Sequence, residues 1–290
     1  MTQSKRSEGR DRACLVAKVI VGVIAFGGFF GCQTPQIVQD AFPAPKIYEG
    51  RTLDYEEAQL SEISARKRIE EIDQQFAEPR TRGRVRLSQE TAQYSISRES
   101  NYGSLWRGAR ACAWLAGDAG SPTERRDCAL DGITWGKAAV EKDSTSAESY
   151  YYLAINYLHL FDLQFRREPA LARRIEENLK MARSLDPHVD NCGPSRALGF
   201  ITIKMVDQPL LSFGSRSEGI FYLKEATQTC NGFGKNYLVL AKALIEIEDY
   251  AGARAALDTL VSLPSPHDHT VDHQKWLAEA SHLLTDLPGI

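Results

Sequence analysis

Apolar and small residues recur along this chain with the spacing of amphipathic helices, and the pattern itself repeats at a fixed interval. Ala138, Ala182 and Ala226 lie 44 residues apart, and each falls near the end of a segment with helical periodicity. A helix-stopping residue follows five positions later in each case: Asp143, Pro187 and Asn231. Recurrence at a fixed period is typical of stacked supersecondary units, which together bury a core that no single unit could form.

Each predicted unit is a pair of helices, and the first helix of each pair carries a small residue at the same place. These small residues are Ala109, Ala154, Gly199 and Ala241. A small side chain there allows the second helix to approach closely. Sustained alternation of apolar and polar residues is absent, as are Asn-Gly or Asp-Gly turns flanked by strands, so the sequence predicts an all-α superhelical stack.

The predicted elements divide most of the chain into three parts. Residues 33–50 are rich in proline and predict a flexible tether. Residues 51–87 contain a leading helix, from about Asp54 to Phe76, and an arginine-rich stretch that we expect to be a solvated linker. Residues 88–290 contain about four helix hairpins, followed by a capping helix near Asp272–Leu287.

The segment 1–32 resembles a bacterial lipoprotein signal. Basic residues precede an apolar run, Val19–Gly31, that is too short to span a bilayer comfortably. Cys32 follows a small residue and precedes a polar stretch, and in lipoproteins such a cysteine is lipidated. The resemblance implies a lipid anchor facing the periplasm, and Gln33 after the cysteine favours the outer membrane. The alternative is an uncleaved anchor helix, and either reading places the rest of the chain outside the cytoplasm.

Four further cysteines fit an oxidising compartment, where an even number suggests disulfides. They are Cys112, Cys128, Cys192 and Cys230. Of the three pairings that four cysteines allow, the predicted helix ends favour Cys112–Cys128 and Cys192–Cys230. Closing a loop of about 16 residues would contribute on the order of 3 kcal/mol in the chain-entropy model. The alternative is buried free thiols, and we expect no zinc ligand beside either pair.

Composition narrows the function classes. Hydrophobic residues make up 43% of the 290 residues and the net charge is −3, which is ordinary for a globular protein. No basic stripe interleaved with aromatic residues occurs, so we expect no nucleic-acid partner. A Gly-x-Ser-x-Gly elbow, a phosphate loop and a Rossmann fingerprint are all missing. We therefore expect no enzyme activity and no cofactor.

One group of residues has the spacing of a metal site. His269 and His273 lie four positions apart, and a helix that begins near Asp268 would place both imidazoles on one face. The alternative is that Asp268 caps the helix and both histidines are solvated. Two histidines without a glutamate between them do not specify a hydrolase, so no metal is predicted and these two residues remain alternative ligands only.

Aromatic residues give the candidate binding groove. Tyr150, Tyr151 and Tyr152 are consecutive, so on a helix their side chains point about 100° apart and cannot all face the interhelical core. At least one, with Trp106 as a neighbour, is expected to face a groove. Aromatic rings that carry a polar group suit an amphipathic ligand or a peptide. The alternative is that these rings only cover the next repeat.

Over about residues 88–265 the chain resembles tetratricopeptide (TPR) repeats. The fourth unit matches the family's offsets with Tyr237, Leu240, Ala241, Leu244, Ala253, Leu257 and Pro264. The resemblance implies a superhelix of helix hairpins with a concave binding surface. The family's period is about 34 residues, so we expect the longer units to carry extra residues in the loops Phe161–Ala170 and Val206–Arg216.

The chain also resembles the T-component (TatT) family of tripartite (TRAP) transporters, through its lipoprotein-like start and several short motifs. These are Leu105-Trp106-Arg107-Gly108-Ala109, Tyr150-Tyr151-Tyr152-Leu153-Ala154, Leu185-Asp186-Pro187, and Gly193-Pro194-Ser195-Arg196-Ala197-Leu198-Gly199. That family tends to have a Gly-Gly pair where this chain has Cys192-Gly193. The resemblance implies a periplasmic lipoprotein whose repeats form a helical cup or a pore-bearing assembly. Such a protein holds a small apolar ligand beside a substrate-binding protein.

The sequence therefore favours a lipid-anchored binding protein of the periplasm, an accessory of TRAP-type solute transport. Its expected partner is a small amphipathic ligand or a substrate-binding protein, and it is compatible with a homo-oligomer. The alternative is an adaptor that assembles an envelope protein complex. A deep, enclosed, apolar pocket would favour the first hypothesis, whereas an open polar groove with exposed aromatic rings would favour the second.

Overall fold

The computed structural model describes residues 55–77, 80–163, 168–206 and 214–288. The predicted signal segment, the tether and Cys32 lie outside these residues. The described chain forms eleven α-helices, a 3-10 turn at His267–His269 and no strand, which confirms the predicted all-α fold. The helices are α1 (Tyr55–Ala77), α2 (Arg82–Arg98), α3 (Tyr102–Gly117), α4 (Pro122–Lys142), α5 (Ala147–Asp162), α6 (Pro169–Leu185), α7 (Val189–Met205), α8 (Arg216–Thr229), α9 (Gly234–Glu246), α10 (Tyr250–Ser262) and α11 (Thr270–Asp286).

The helices are arranged in two layers. Each helix packs against the next one along the chain, and the odd-numbered helices also contact one another in the order α1, α3, α5, α7, α9 and α11. The even-numbered helices pack mainly against their two sequence neighbours. The odd-numbered helices therefore form an inner layer and the even-numbered helices an outer one. This is the stack of helix hairpins that the 44-residue period predicts.

Local signals begin several of these helices. Ser121, Ser146 and Ser215 lie at the N-caps of α4, α5 and α8, and each side-chain oxygen accepts a hydrogen bond from the backbone N–H three residues on, at 3.1–3.2 Å. Pro122 and Pro169 lie in the first turns of α4 and α6, where no intrahelical donor is lost. The periodic boundaries seen in the sequence thus have a local chemical cause.

The alanines that mark the period are core residues. Ala138, Ala182 and Ala226 lie in the last turns of α4, α6 and α8, and all three are buried. The small residues of the first helices, Ala109, Ala154, Gly199 and Ala241, are buried as well. The 44-residue period therefore arises because equivalent places in successive hairpins need small side chains.

Helices α7 and α8 approach most closely at a pair of glycines. A β-carbon on Gly199 would lie 2.5 Å from Leu223 Cγ and 2.8 Å from the carbonyl oxygen of Gly219, which is backbone. On the other side, a β-carbon on Gly219 would lie 2.8 Å from the side chain of Ile203. The two backbones fit together because neither residue carries a side chain.

The prediction that the arginine-rich stretch is a solvated linker is wrong, because most of the stretch is helical. Helix α2 begins at Arg82, capped by Thr81, and runs through the arginine-rich stretch. Its buried residues Val85, Gln89 and Ala92 recur three or four positions apart, which is a helical face that the alternating arginines hide in the sequence. Arg80 is also buried.

The structure corrects one of the two predicted disulfides. Cys192 and Cys230 are bonded, with their Cα atoms 5.9 Å apart. Cys112 and Cys128 are instead buried free thiols, in α3 and α4. The Cys112 sulfur accepts a hydrogen bond from Gln89 of α2 at 3.3 Å. The two cysteines thus lie on adjacent helices as separate thiols.

The expected loop insertions occupy the connections of the two middle hairpins. The connection from α5 to α6 spans 163–168 and that from α7 to α8 spans 206–215, and residues 164–167 and 207–213 lie outside the described residues. Helix lengths of up to 21 residues among α3 to α8 add to the longer period. None of the described helices is long and apolar enough to cross a membrane.

The glycine contact predicts the effect of a single methyl group. We expect Gly199→Ala to lower the free energy of unfolding by about 1–3 kcal/mol, because Leu223 and the Gly219 backbone must move. A β-carbon on Gly232 meets nothing within 4 Å, so Gly232→Ala is the matched control and should change stability by less than about 0.5 kcal/mol. Urea unfolding followed by circular dichroism measures both variants. Equal stabilities for the two would contradict the close packing of α7 on α8.

Candidate functional site

The inner layer of helices lines a partly open cavity of about 420 Å³. Side chains of α3, α5, α7, α9 and α11 line it, together with Phe76 at the end of α1 and Arg80 after it. The lining is therefore contributed by every odd-numbered helix. This volume lies within the range of about 300–1,000 Å³ that small-ligand sites occupy.

Aromatic rings form much of the wall. The rings are Phe76, Trp114, Tyr151, Tyr152, Phe200, Phe233 and Trp276. Phe233 meets Trp276 edge to face at 5.1 Å between ring centres, and Tyr151 meets Tyr152 in the same way at 5.0 Å. Such contacts hold the rings in fixed orientations, so the wall presents a preformed apolar surface.

A buried polar network lies beside this wall and joins three helices. Arg196 of α7 donates to both the carboxylate and the backbone oxygen of Asp190, at 2.7 and 3.1 Å, and to the side-chain oxygen of Asn236 at 2.7 Å. The Tyr151 hydroxyl of α5 donates to the same carboxylate at 2.6 Å. Asn236 of α9 donates in turn to the backbone oxygens of Asn191 and Cys230. The network therefore fixes α5, α7 and α9 relative to one another.

Charge and burial act on the ionisable groups of this network. Burial tends to raise the pKa of the Asp190 carboxyl, but the positive charges of Arg196 and Lys235 and the Tyr151 hydroxyl together hold that pKa below its ordinary value. Burial raises the pKa of Tyr151 well above its ordinary value. Asp190 is therefore ionised and Tyr151 neutral at physiological pH, as their hydrogen bond requires.

An unusual turn brings Asp190 into the network. Asp190, Asn191 and Cys192 are consecutive and all have positive φ, at 48°, 53° and 63°. Asp and Asn tolerate this left-handed region better than other residues, whereas cysteine does not, so the turn carries strain. The bond between Cys192 and Cys230 ties the turn to the end of α8.

The two ends of the stack meet across the cavity. Arg80 contacts Asp272 of α11 at 3.8 Å and His269 Nδ1 at 3.2 Å. The Trp114 indole of α3 donates to the same Asp272 carboxylate at 3.3 Å. At the rim, Lys275 and Asp118 form an ion pair at 2.6 Å. These contacts close one side of the cavity and turn the groove of a helical stack into a cup.

Two donors at the cavity have no protein acceptor in the described part of the chain. The ammonium of Lys235 makes no hydrogen bond or ion pair with another described residue, although it is exposed to solvent. The concave surroundings lower the pKa of Lys235, chiefly by partial desolvation and then by the charge of Arg196, while Asp190 and Asp272 oppose the shift. Arg110, which holds Asp73 with its Nη2 at 2.8 Å, keeps a buried Nε–H with no partner.

A neutral histidine completes the lining. Burial and the charges of Arg125 and Lys235 lower the pKa of His159 to about 4, although a backbone hydrogen bond at Ala113 opposes the shift. His159 is therefore uncharged at physiological pH and adds a polar but neutral group to the aromatic and charged residues of the wall.

The predicted groove residues divide into two sets. Tyr151 and Tyr152 line the cavity, whereas Trp106 and Tyr150 are not among its lining residues. Trp106 stacks on the ring of Tyr152 at 6.1 Å, so it supports the wall from behind. Of the three consecutive tyrosines of α5, the second and the third thus line the cavity.

The alternative metal ligands have other contacts. His269 is buried, meets Phe233 edge to face at 5.0 Å and lies 3.5 Å from Asp272. His273 is also buried, and its Nδ1 has no hydrogen-bond partner among the described residues. The expectation that both are solvated is wrong, because α11 packs these residues against the start of α9.

Most of the charged lining gives no recognisable signal in the sequence. Arg196 lies in the motif Gly193–Gly199, but the sequence around it does not indicate that it pairs with Asp190 six positions earlier. Arg80 and Asp272 are separated by most of the stack, so only the closed superhelix brings them together. Lys235 lies in the first turn of α9, and its neighbours in the sequence do not indicate that it lines a cavity.

Comparisons with known proteins support the architecture. The family described as "Regulator of microtubule dynamics protein 1-3" matches residues 68–187, which is less than half of the chain. A crystal structure of a thermophilic TPR protein from Thermus thermophilus is similar with a TM-score of 0.55 and 16% identity, over 74% of this chain and 99% of that one. None of the curated proteins matches. The chain thus has a TPR-like fold.

The lowered pKa of His159 predicts a pH dependence of stability. The unfolded chain binds a proton at His159 below about pH 6.5, whereas the folded chain does so only below about pH 4. Stability is therefore lost as the pH falls through this window, by about 1–3 kcal/mol from this residue. We expect His159→Leu to flatten the dependence between pH 6.5 and 4, measured by urea unfolding at each pH.

The control for this experiment is His267→Leu, because His267 is exposed. This variant should retain the wild-type slope of stability against pH. A wild-type slope in His159→Leu would show that His159 is not held neutral by the fold.

Proposed function

We propose that this protein is a binding scaffold whose cavity takes an acidic group flanked by apolar side chains, presented by a partner protein. The observation that carries the proposal is the unpaired Lys235 ammonium within an aromatic cavity. A carboxylate at Lys235 would gain a charge-assisted hydrogen bond in surroundings that are partly shielded from water. The adjoining rings would bury the apolar neighbour of that carboxylate.

The charges of the lining support an acidic rather than a basic ligand. Three of the four carboxylates that line the cavity have cationic partners: Asp190 with Arg196, Asp272 with Arg80, and Asp118 with Lys275. The ammonium of Lys235 remains for an incoming acceptor. The TPR-like fold supports a protein partner, because helical repeats of this kind present extended concave surfaces for binding.

A small amphipathic carboxylate is the second candidate ligand, and the closed shape of the cup favours it. The contacts of Arg80 and Trp114 with Asp272 of α11, and the ion pair of Lys275 with Asp118, narrow the approach to the cavity. Such a ligand agrees with the resemblance to the T-component family, in which case a periplasmic substrate-binding protein would be the partner outside the cavity.

Native mass spectrometry of the purified full-length protein separates the two ligands. A bound polypeptide in stoichiometric amount supports the adaptor, and a bound molecule of a few hundred daltons supports the small-ligand carrier. The same spectrum reports the number of chains in the assembly. Recovery of a basic ligand would contradict both versions of the proposal.

The location of the scaffold is part of the proposal. The lipoprotein-like start and the bonded pair Cys192–Cys230 both support a place in the cell envelope, outside the reducing cytoplasm. A lipid on Cys32 would hold the cavity near a membrane surface. Diacylated anchors give stable attachment, whereas a single chain binds only marginally.

The first prediction from this proposal concerns Lys235. Peptides in which an acidic residue is followed or preceded by an aromatic or aliphatic residue should bind. Lys235→Gln should lower their affinity about 10- to 100-fold, because it removes one hydrogen bond between charged groups. Fluorescence anisotropy against a labelled peptide panel measures the affinities, with lysine in place of the acidic residue as the negative set.

The matched control is Lys224→Gln, because Lys224 is exposed on the outer helix α8 and is not among the residues that line the cavity. Its affinity for the same peptides should equal that of the wild type. An equal loss in both variants would show that the peptides bind through general charge rather than in the cavity.

The second prediction concerns the anchor. We expect Cys32→Ala to move the protein from the membrane fraction to the soluble fraction and to abolish incorporation of labelled fatty acid. Cys14→Ala should leave both unchanged, because Cys14 lies within the signal that is removed. Membrane association that persists in Cys32→Ala would favour the anchor helix instead.

A further inference from the structure

A cluster of metal-binding side chains lies where the α6–α7 connection meets the end of α8. His188, Cys192 and Cys230 each direct one ligand atom to this place, and the three atoms lie within 4.8 Å of one another. His188 Nδ1 is 3.9 Å from Cys230 Sγ. In the described ranges of the chain, three or more His, Cys, Asp or Glu ligand atoms converge in this way only here.

The backbone holds both sides of the cluster. The Asp186 carboxylate accepts a hydrogen bond from the His188 N–H at 2.8 Å, and the His188 carbonyl accepts one from Cys192 at 3.4 Å. On the other side, Cys230 donates from its backbone to Ala226 at 3.1 Å, at the end of α8. The convergence of the three side chains is therefore set by fixed backbone positions.

One side of the cluster has the spacing of a tetrahedral ion, and the two sulfurs, which are bonded to each other here, reach that spacing only after reduction. With bonds of about 2.3 Å to sulfur and 2.0–2.1 Å to nitrogen, neighbouring ligand atoms around zinc lie about 3.4–3.8 Å apart. The distance from His188 Nδ1 to Cys230 Sγ is close to this value. Cys192 is buried, whereas His188 is exposed, so an ion and a water molecule can enter from the His188 side.

We propose that the reduced form of this protein binds one Zn²⁺ ion through His188 and the thiolates of Cys192 and Cys230, with water as the fourth ligand. The disulfide is then the metal-free, oxidised form of the same site. Two thiolates and an imidazole form a donor set that zinc prefers.

The two forms are related by a balanced redox step. A dithiol reductant of the thioredoxin class gives two electrons to the sulfur–sulfur bond and becomes a disulfide itself, while Cys192 and Cys230 each take up a proton. Zn²⁺ then displaces both thiol protons, and the neutral imidazole of His188 donates a lone pair.

Both forms join the left-handed turn at Asp190 to the end of α8. Either the disulfide or the zinc ion would therefore keep Asp190 in the polar network beside the cavity. The zinc site itself does not depend on which ligand the cavity takes, so it is tested separately from the proposed function.

The test uses the untagged full-length chain carrying Cys14→Ser and Cys32→Ser, titrated with Zn²⁺ alone against a chromophoric chelator. We expect the reduced chain to bind one Zn²⁺ at least 100-fold more tightly than the oxidised chain. Co²⁺ in place of Zn²⁺ should give a thiolate charge-transfer band and the visible absorption of a tetrahedral ion in the reduced chain only.

Variants locate the ion. His188→Ala retains both cysteines and should bind Zn²⁺ at least tenfold more weakly, and Cys230→Ser should lose the site. Cys112→Ala with Cys128→Ala is the control, because these two thiols lie elsewhere, and it should bind as the parent chain does. If Cys230→Ser does not fold, His188→Ala and the Co²⁺ spectrum decide the question.

Two outcomes would overturn the proposal. Equal zinc affinity in the reduced and oxidised chains would show that the two cysteines are not ligands. Loss of binding in the variant of Cys112 and Cys128, with binding retained in His188→Ala, would place the ion at the buried thiols instead.

Discussion

The buried pair of Arg196 and Asp190 is the interaction on which the rest of the cavity depends. The guanidinium is almost fully buried, with 5% of its side chain exposed, and it needs several acceptors to offset its lost hydration. Asp190, Asn191 and Asn236 supply them, and each belongs to a part of the chain that must be correctly placed. All of these acceptors are in place only in one arrangement of α5, α7 and α9, so the buried charge selects that arrangement.

The same pairing explains the electrostatic character of the site. A cup lined with both arginines and carboxylates would have little preference for one charge if all of them were available. Here three of the four lining carboxylates are engaged, by Arg196, Arg80 and Lys275. Among the lining cations of the described chain, the one left without an ion pair is Lys235. Selectivity for an acidic ligand thus follows from which charges the fold neutralises internally rather than from net charge.

Sequence periodicity predicted the architecture because packing between hairpins is repetitive. Small residues such as Ala154 and Gly199 must recur wherever helices approach closely, so the fold leaves a regular trace in the sequence. The cavity leaves no such trace, because its residues come from six helices at unrelated spacings. Arg80 looked like part of a charged linker, and only its contact with Asp272 shows otherwise. The sequence around His188 likewise does not indicate its place beside Cys230, because only the fold brings the two residues together.

The contact between Arg80 and Asp272 also bears on how the chain unfolds. An open helical solenoid loses its terminal units first, since each unit is held by its neighbours alone and fraying is local. In this protein the last helix contacts Arg80 and Trp114 near the beginning of the stack. If the last helix separated from the stack, the residues around Arg80 and Trp114 at the other end would therefore become exposed as well. Such a molecule should melt as one cooperative body, and it should tolerate the loss of a terminal hairpin far less well than a linear array does.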